Sequence, residues 1–145
     1  MGEGIAASGG ADKTAPGAPA TVIPMSSAPI DPARPLTRVL FGSCAHQDRE
    51  QEIWNAVRAA DGDVFLFIGD NIYADETSGS GRVTGPVYIA DAYRKLAASA
   101  PFAALRADTT VMTTWDDHDY GLNDAGKEFI YRDESKRLFL AASFR

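Results

Sequence analysis

The sequence predicts an α/β fold built on parallel strands. Three observations lead there. The chain holds three short apolar or β-branched runs, Arg38-Val39-Leu40-Phe41, Val64-Phe65-Leu66-Phe67-Ile68 and residues 109–114. Segments of helical periodicity separate the runs, and a burst of polar side chains directly follows each one. Strands alternating with helices imply crossover connections and hence parallel pairing. In such sheets ligands collect beyond the carboxyl ends of the strands, where the polar bursts lie.

Each element has its own signal. Residues 36–42 read as a strand. Asp48 stands where it can cap the next segment, in which Ile53, Trp54, Val57 and Ala60 share one helical face. Asp61-Gly62-Asp63 ends that helix and turns the chain into the strand at 64–68. Residues 76–86 are polar and Gly-rich and read as a mobile loop on the rim of a site. Between 87 and 99, Tyr88, Ile89, Ala92, Tyr93 and Leu96 repeat at three and four, which predicts an amphipathic helix. Pro101 opens a short helical turn before the strand at 109–114. Residues 133–144 are helical again, with Leu138, Phe139 and Ala142 inward.

Composition divides the chain. Residues 1–35 contain no aromatic residue and hold six of the eight prolines. Such a stretch buries too little apolar surface to offset its ordering entropy, so it reads as a flexible leader. Residues 36–145 form the folded domain. A formal net charge of −6 argues against a nucleic-acid or anionic-membrane binder. Five of the twenty acidic residues fall between Asp108 and Asp124, a local concentration that suits a cation. The single cysteine, Cys44, excludes an internal disulfide. No apolar run approaches transmembrane length, and Met1-Gly2-Glu3-Gly4-Ile5 lacks the basic and apolar regions of a signal peptide, so no location is assigned.

The three bursts carry the chemistry. The first is Gly42-Ser43-Cys44-Ala45-His46, the second Gly69-Asp70-Asn71-Ile72-Tyr73-Ala74-Asp75, and the third Trp115-Asp116-Asp117-His118-Asp119-Tyr120-Gly121-Leu122-Asn123-Asp124. Asp and Asn oxygens suit hard cations, and a histidine among them ligates or moves protons. Asp116, Asp117 and Asp119 cannot all touch one ion. In an extended chain Asp117 and Asp119 share one face while Asp116 and His118 share the other, so pairing Asp117 with His118 requires a bend there. One of these carboxylates is expected to orient a ligand rather than to be one. Asp75 can orient Tyr73 or cap a turn. His46 reads as a loop residue with an outer role near Cys44, and Trp115 as packing that holds the loop. An EF-hand does not fit: aligning Gly121 with its glycine puts His118 and Tyr120 at ligand positions and Lys127 at the final glutamate. Ser43-Cys44 lacks the Gly-x-Ser-x-Gly elbow of a serine hydrolase.

In this order and spacing the motifs, from residue 37 to 144, resemble the alkaline phosphatase D (PhoD-like) family of metallophosphoesterases. The resemblance implies a calcineurin-like layered αββα sandwich, a metal cluster and hydrolysis of phosphate monoesters or diesters by a metal-bound hydroxide. It implies Fe3+ together with Ca2+. Asp70 would bridge the metals, Cys44 and Tyr73 would ligate iron as thiolate and phenolate, and Asn123 would ligate on the calcium side. Asp117 and His118 would be the catalytic residues beside the phosphate. Family members run to several hundred residues and draw further His and Asp ligands from their carboxyl-terminal half. After His118 this chain has no histidine. The expectation is therefore an amino-terminal part of such a phosphatase, truncated to its first half. The alternative is a non-catalytic fragment or a subunit that needs a partner polypeptide to complete its core.

Overall fold

The computed structural model describes residues 20–78 and 81–143. Its elements run β1 (Val39–Gly42), α1 (Ile53–Ala59), β2 (Val64–Ile68), β3 (Glu76–Ser78), β4 (Gly81–Val83), α2 (Pro86–Ala98), α3 (Ala100–Asp108), β5 (Thr110–Thr114), α4 (Asp117–Tyr120) and α5 (Arg132–Ala142). Strands β1, β2 and β5 form a parallel sheet in that order, as the alternation predicts. The register decides the rest. Gly42 is level with Phe67, and Ile68 is level with Thr114. All three polar bursts therefore leave the sheet at the same edge and within a residue or two of the same height.

One face of the sheet is packed. Phe65, Phe67 and Val111 are registered neighbours and point to the same side. Against them sits Trp54 of α1, with ring centroids 5.6 Å from Phe65, 5.5 Å from Phe67 and 4.6 Å from Phe102 of α3. Ile89, Tyr93 and Leu96 of α2 and Leu138 and Ala142 of α5 complete this core. The opposite face carries Val39, Phe41, Ile68 and Met112, all exposed, Phe41 by 72%. Among the described residues no helix is long and apolar enough to cross a membrane.

Several elements differ from the sequence reading. Residues 76–86 contain an antiparallel hairpin, β3 with β4, because Thr77 and Ser78 find partners in Arg82 and Gly81. The hairpin tip lies outside the described residues. Pro101 lies in the first turn of the nine-residue helix α3, where its missing N–H costs nothing. Asp48 does not cap α1: the N-cap is Glu52 without a side-chain bond, and Asp48 pairs with Lys95 at 2.6 Å. Ile53 and Tyr88 face outward, since Trp54 with Val57 fills the inward stripe of a seven-residue helix and Ile89 and Tyr93 fill that of α2.

The largest correction concerns the expected leader of residues 1–35. Residues 1–19 lie outside the described residues, but the chain from Ala20 packs on the body. Met25 is a core residue, 3% exposed, and its N–H donates to the carbonyl of Ala142. The Ala28 N–H donates to the Arg106 carbonyl, Thr110 Oγ1 donates to the Ala28 carbonyl, and the Val111 N–H donates to Ser27 Oγ. Arg106 is itself buried and donates to the carbonyls of Ser26 and Ala97. The segment thus supplies hydrogen bonds to the outer edge of β5, which compensates for its lack of aromatic residues. Met25→Ala is expected to lower the unfolding free energy by roughly 2–5 kcal/mol in urea denaturation. An unchanged midpoint and slope would place residues 20–30 outside the cooperative unit.

Candidate metal centre

Two strand ends are bent by unusual backbone. Past β1 the chain takes a left-handed conformation at Cys44 (φ 62°), and past β2 at Gly69 (φ 108°) and Asp70 (φ 48°). A non-glycine residue in this region is uncommon and persists where its surroundings hold it. Here the two loops are laced together, with the Cys44 N–H donating to the Gly69 carbonyl at 3.4 Å and the Ala45 N–H to the Asp70 carbonyl at 3.2 Å. Gly69 also lets β2 approach the end of β5, since a Cβ there would lie 2.8 Å from Asp116 Cβ.

The third burst bends as pairing of Asp117 with His118 requires. Asp116 N-caps the single turn α4, and a reciprocal capping box joins it to Asp119. Asp119 is fully buried and accepts from four groups: the N–H of Asp116, the N–H and Nδ2 of Asn71, and the hydroxyl of Tyr93, all within 3.1 Å. Burial pushes its carboxyl up to about 6 against these donors, so it is an anion at neutral pH. Asn71 also donates to the Thr114 carbonyl and accepts from Thr113 Oγ1 at 2.5 Å. One buried carboxylate thus ties the ends of β2 and β5 to α2.

The bend brings Asp70, Asp117 and His118 together, each with a ligand-capable atom within 4.8 Å of the others'. Asp70 is buried. Its Oδ2 accepts from the Tyr73 hydroxyl at 2.9 Å and from Cys44 Sγ at 3.5 Å, while Oδ1 is buried with no hydrogen-bond partner among the described residues. A buried carboxylate oxygen without a donor is costly, and a cation in front of it removes the cost. Burial opposes ionisation of Asp117, yet the amide N–H groups of Asp124 (2.5 Å) and His118 (2.9 Å) and the nearby His118 ring outweigh it and hold its carboxyl below the usual value. His118 Nδ1 lies 3.1 Å from Asp75 Oδ1. An ionised carboxylate only accepts, so Nδ1 carries the hydrogen and Nε2 is the ring's ligating or proton-accepting atom. Burial raises the Tyr73 phenol well above its ordinary value, reinforced by Cys44 and Asp70.

Cys44, Asp70, Tyr73, Asp117 and His118 therefore converge. Asn123 stands on the exposed loop after α4 and reaches the cluster through its neighbour: its Nδ2 donates to Asp124, whose N–H donates to Asp117. Asp75 meets the His118 ring. Trp115 packs against Tyr120 and Phe139, at 5.6 and 5.4 Å between ring centroids. Beside Asp117 opens a cleft of about 440 Å3 lined by Trp115, Asp116, Tyr120 and Lys127. Sequence reasoning missed Asn71 and Asp119 as the fixing pair; their position straight after two buried runs was the available signal. Asp119→Ala would strand four donors in the interior and is expected to cost at least about 3 kcal/mol in chemical denaturation. A loss below about 1 kcal/mol would show that the network does not hold the site.

Comparison with known proteins bears on the fold. The chain is similar to a solved structure of PhoD, with a TM-score of 0.51 and 17% sequence identity, over 81% of this chain and 24% of that one. The chain thus spans about a quarter of the length of the structure it matches. No protein-family model and no curated protein matches it. With its small parallel sheet and helices, the described chain has a PhoD-like fold.

Proposed function

We propose that this chain is part of a metal-dependent phosphoric ester hydrolase of the alkaline phosphatase or phosphodiesterase type. One observation carries the reading: Asp70 keeps a buried Oδ1 without a hydrogen-bond partner among the described residues, while its Oδ2 meets Cys44 and Tyr73 and its carboxyl lies within 4.8 Å of ligand atoms of Asp117 and His118. The donor set fits metal ions. Asp70 would hold them, Cys44 and Tyr73 would hold Fe3+ as anionic donors, and the oxygen of Asn123 would suit Ca2+. Bound there, the cations supply Lewis acidity toward a phosphoryl group and toward water. The protein's own contribution is position. The Asp75–His118 pair fixes the imidazole; once protonated from solvent, its Nε2–H would give that proton to the departing oxygen. Asp117, held by two backbone amides, keeps its carboxylate in one orientation beside the phosphate. The adjacent cleft, with Lys127 on its wall, accommodates the ester's alcohol portion.

The exposed sheet face favours a second, compatible reading. Parallel sheets are ordinarily covered on both faces, yet Val39, Phe41, Ile68 and Met112 present an apolar surface to solvent. A second sheet packed there would complete a calcineurin-like αββα sandwich and bring the remaining metal ligands. On this reading the 145 residues hold part of a site and depend on further polypeptide for turnover.

The test is metal-dependent cleavage of p-nitrophenyl phosphate and bis-p-nitrophenyl phosphate. Asp70→Ala should abolish it, by more than the roughly 10–100-fold that outer partners of a metal site cost. Activity unchanged by Asp70→Ala overturns the assignment; metal binding at Asp70 without turnover supports the partner-dependent form. The Tyr73 phenol is a proton donor in the metal-free protein, so its ligation releases that proton and metal affinity should rise with pH. Tyr73→Phe should release about one proton fewer per iron bound, measured by titration in weak buffer.

A further inference from the structure

Two residues of the loop after β1 converge on Tyr73. Gln47 brackets the backbone of Tyr73 with two hydrogen bonds: its Nε2 donates to the Tyr73 carbonyl and its Oε1 accepts from the Tyr73 N–H, both at 2.8 Å. His46 stacks on the Tyr73 ring, with centroids 5.0 Å apart and planes within 5° of parallel. His46 is fixed in turn, its Nδ1 accepting from the Asp48 N–H at 3.3 Å and its carbonyl from the Arg49 N–H. The chain's other histidine, His118, leans on the same ring at 4.2 Å.

Tyr73 needs such support. Residues 71–75 have no regular secondary structure, so no strand or helix partner fixes the Tyr73 backbone. Gln47 supplies a paired donor and acceptor in the manner of a missing β-ladder neighbour. The stack holds the ring plane. Together they aim the phenol oxygen at Asp70 Oδ2, 2.9 Å away.

We propose that Gln47 and His46 are positioning residues for Tyr73, holding its backbone and its ring so that the phenol oxygen stays at the metal site. The inference rests on the reading of Tyr73 as a metal ligand. It predicts that the cradle matters for the quality of the iron–phenol bond and not merely for folding.

The experiment loads the full chain with ferric iron alone, supplied as its citrate complex, and records the visible phenolate-to-iron band. Far-UV circular dichroism checks that each variant is folded. His46→Ala and Gln47→Leu should shift or lose the band and weaken iron binding by about tenfold or more. His46→Phe keeps a stacking ring and should restore the wild-type band. Gln47→Glu keeps the acceptor, loses the donor, and should lie between; it is read in place of Gln47→Leu if that variant does not fold, as His46→Leu is for His46→Ala. Folded His46 and Gln47 variants with the wild-type band and affinity overturn the positioning role while leaving Tyr73 as a ligand. Absence of the band in the wild-type chain, or its persistence in Tyr73→Phe, overturns the ligand reading and this inference with it.

Discussion

Asp119 is the residue around which the carboxyl end of the sheet is arranged. Its carboxylate is inaccessible to water and can remain ionised only because Asn71, Asp116 and Tyr93 surround it with donors. Those donors come from three separate elements. Satisfying one buried charge therefore fixes the loop after β2, the turn after β5 and the helix α2 relative to one another. Asp117 and His118 are its immediate neighbours, so their approach to Asp70 is a consequence of that same constraint. The group that organises the site is not itself placed to touch a substrate.

Around this anchor the loops divide the labour. The β1 loop brings Cys44 and a cradle for Tyr73; the β2 loop brings Asp70 and, through Asp75, orients His118; the β5 turn brings Asp117 and His118. Left-handed backbone at Cys44 and Asp70 marks where the chain is held against its preference. Such strain is kept where the surrounding structure gains from it, and here it lies at two donors of the cluster. An Asp70 oxygen lacking a donor among the described residues gives the strain a purpose, since a cation would satisfy it.

Much of this was legible in the residues. Apolar or β-branched runs followed by Gly-Asp-Asn or Trp-Asp-Asp-His read directly as strands with polar ends, and parallel register followed from helices between them. The motifs point to the convergence of Cys44, Asp70, Tyr73, Asp117 and His118, and side-chain alternation requires a bend where Asp117 and His118 pair. What sequence could not give was partner choice. Nothing local says that Asp75 meets His118, or that Gln47 rather than a strand satisfies the Tyr73 backbone. Asp119 looked like one carboxylate among several until burial singled it out. Residues 20–35 misled because composition reports poor core formers, whereas their role is to hydrogen-bond an edge.

That edging segment has a consequence for the order of assembly. Ser26, Ser27 and Ala28 meet partners 80–84 positions later, and the Ala20 carbonyl accepts from Arg137, 117 positions on. During synthesis from the ribosome the earliest described residues must therefore wait for nearly the last ones before they can dock. Contacts of such separation pay their loop-closure entropy late and slow the approach to the native state. The β1–α1–β2 unit can collapse first on local contacts, and the amino-terminal segment closes over β5 as a final latch.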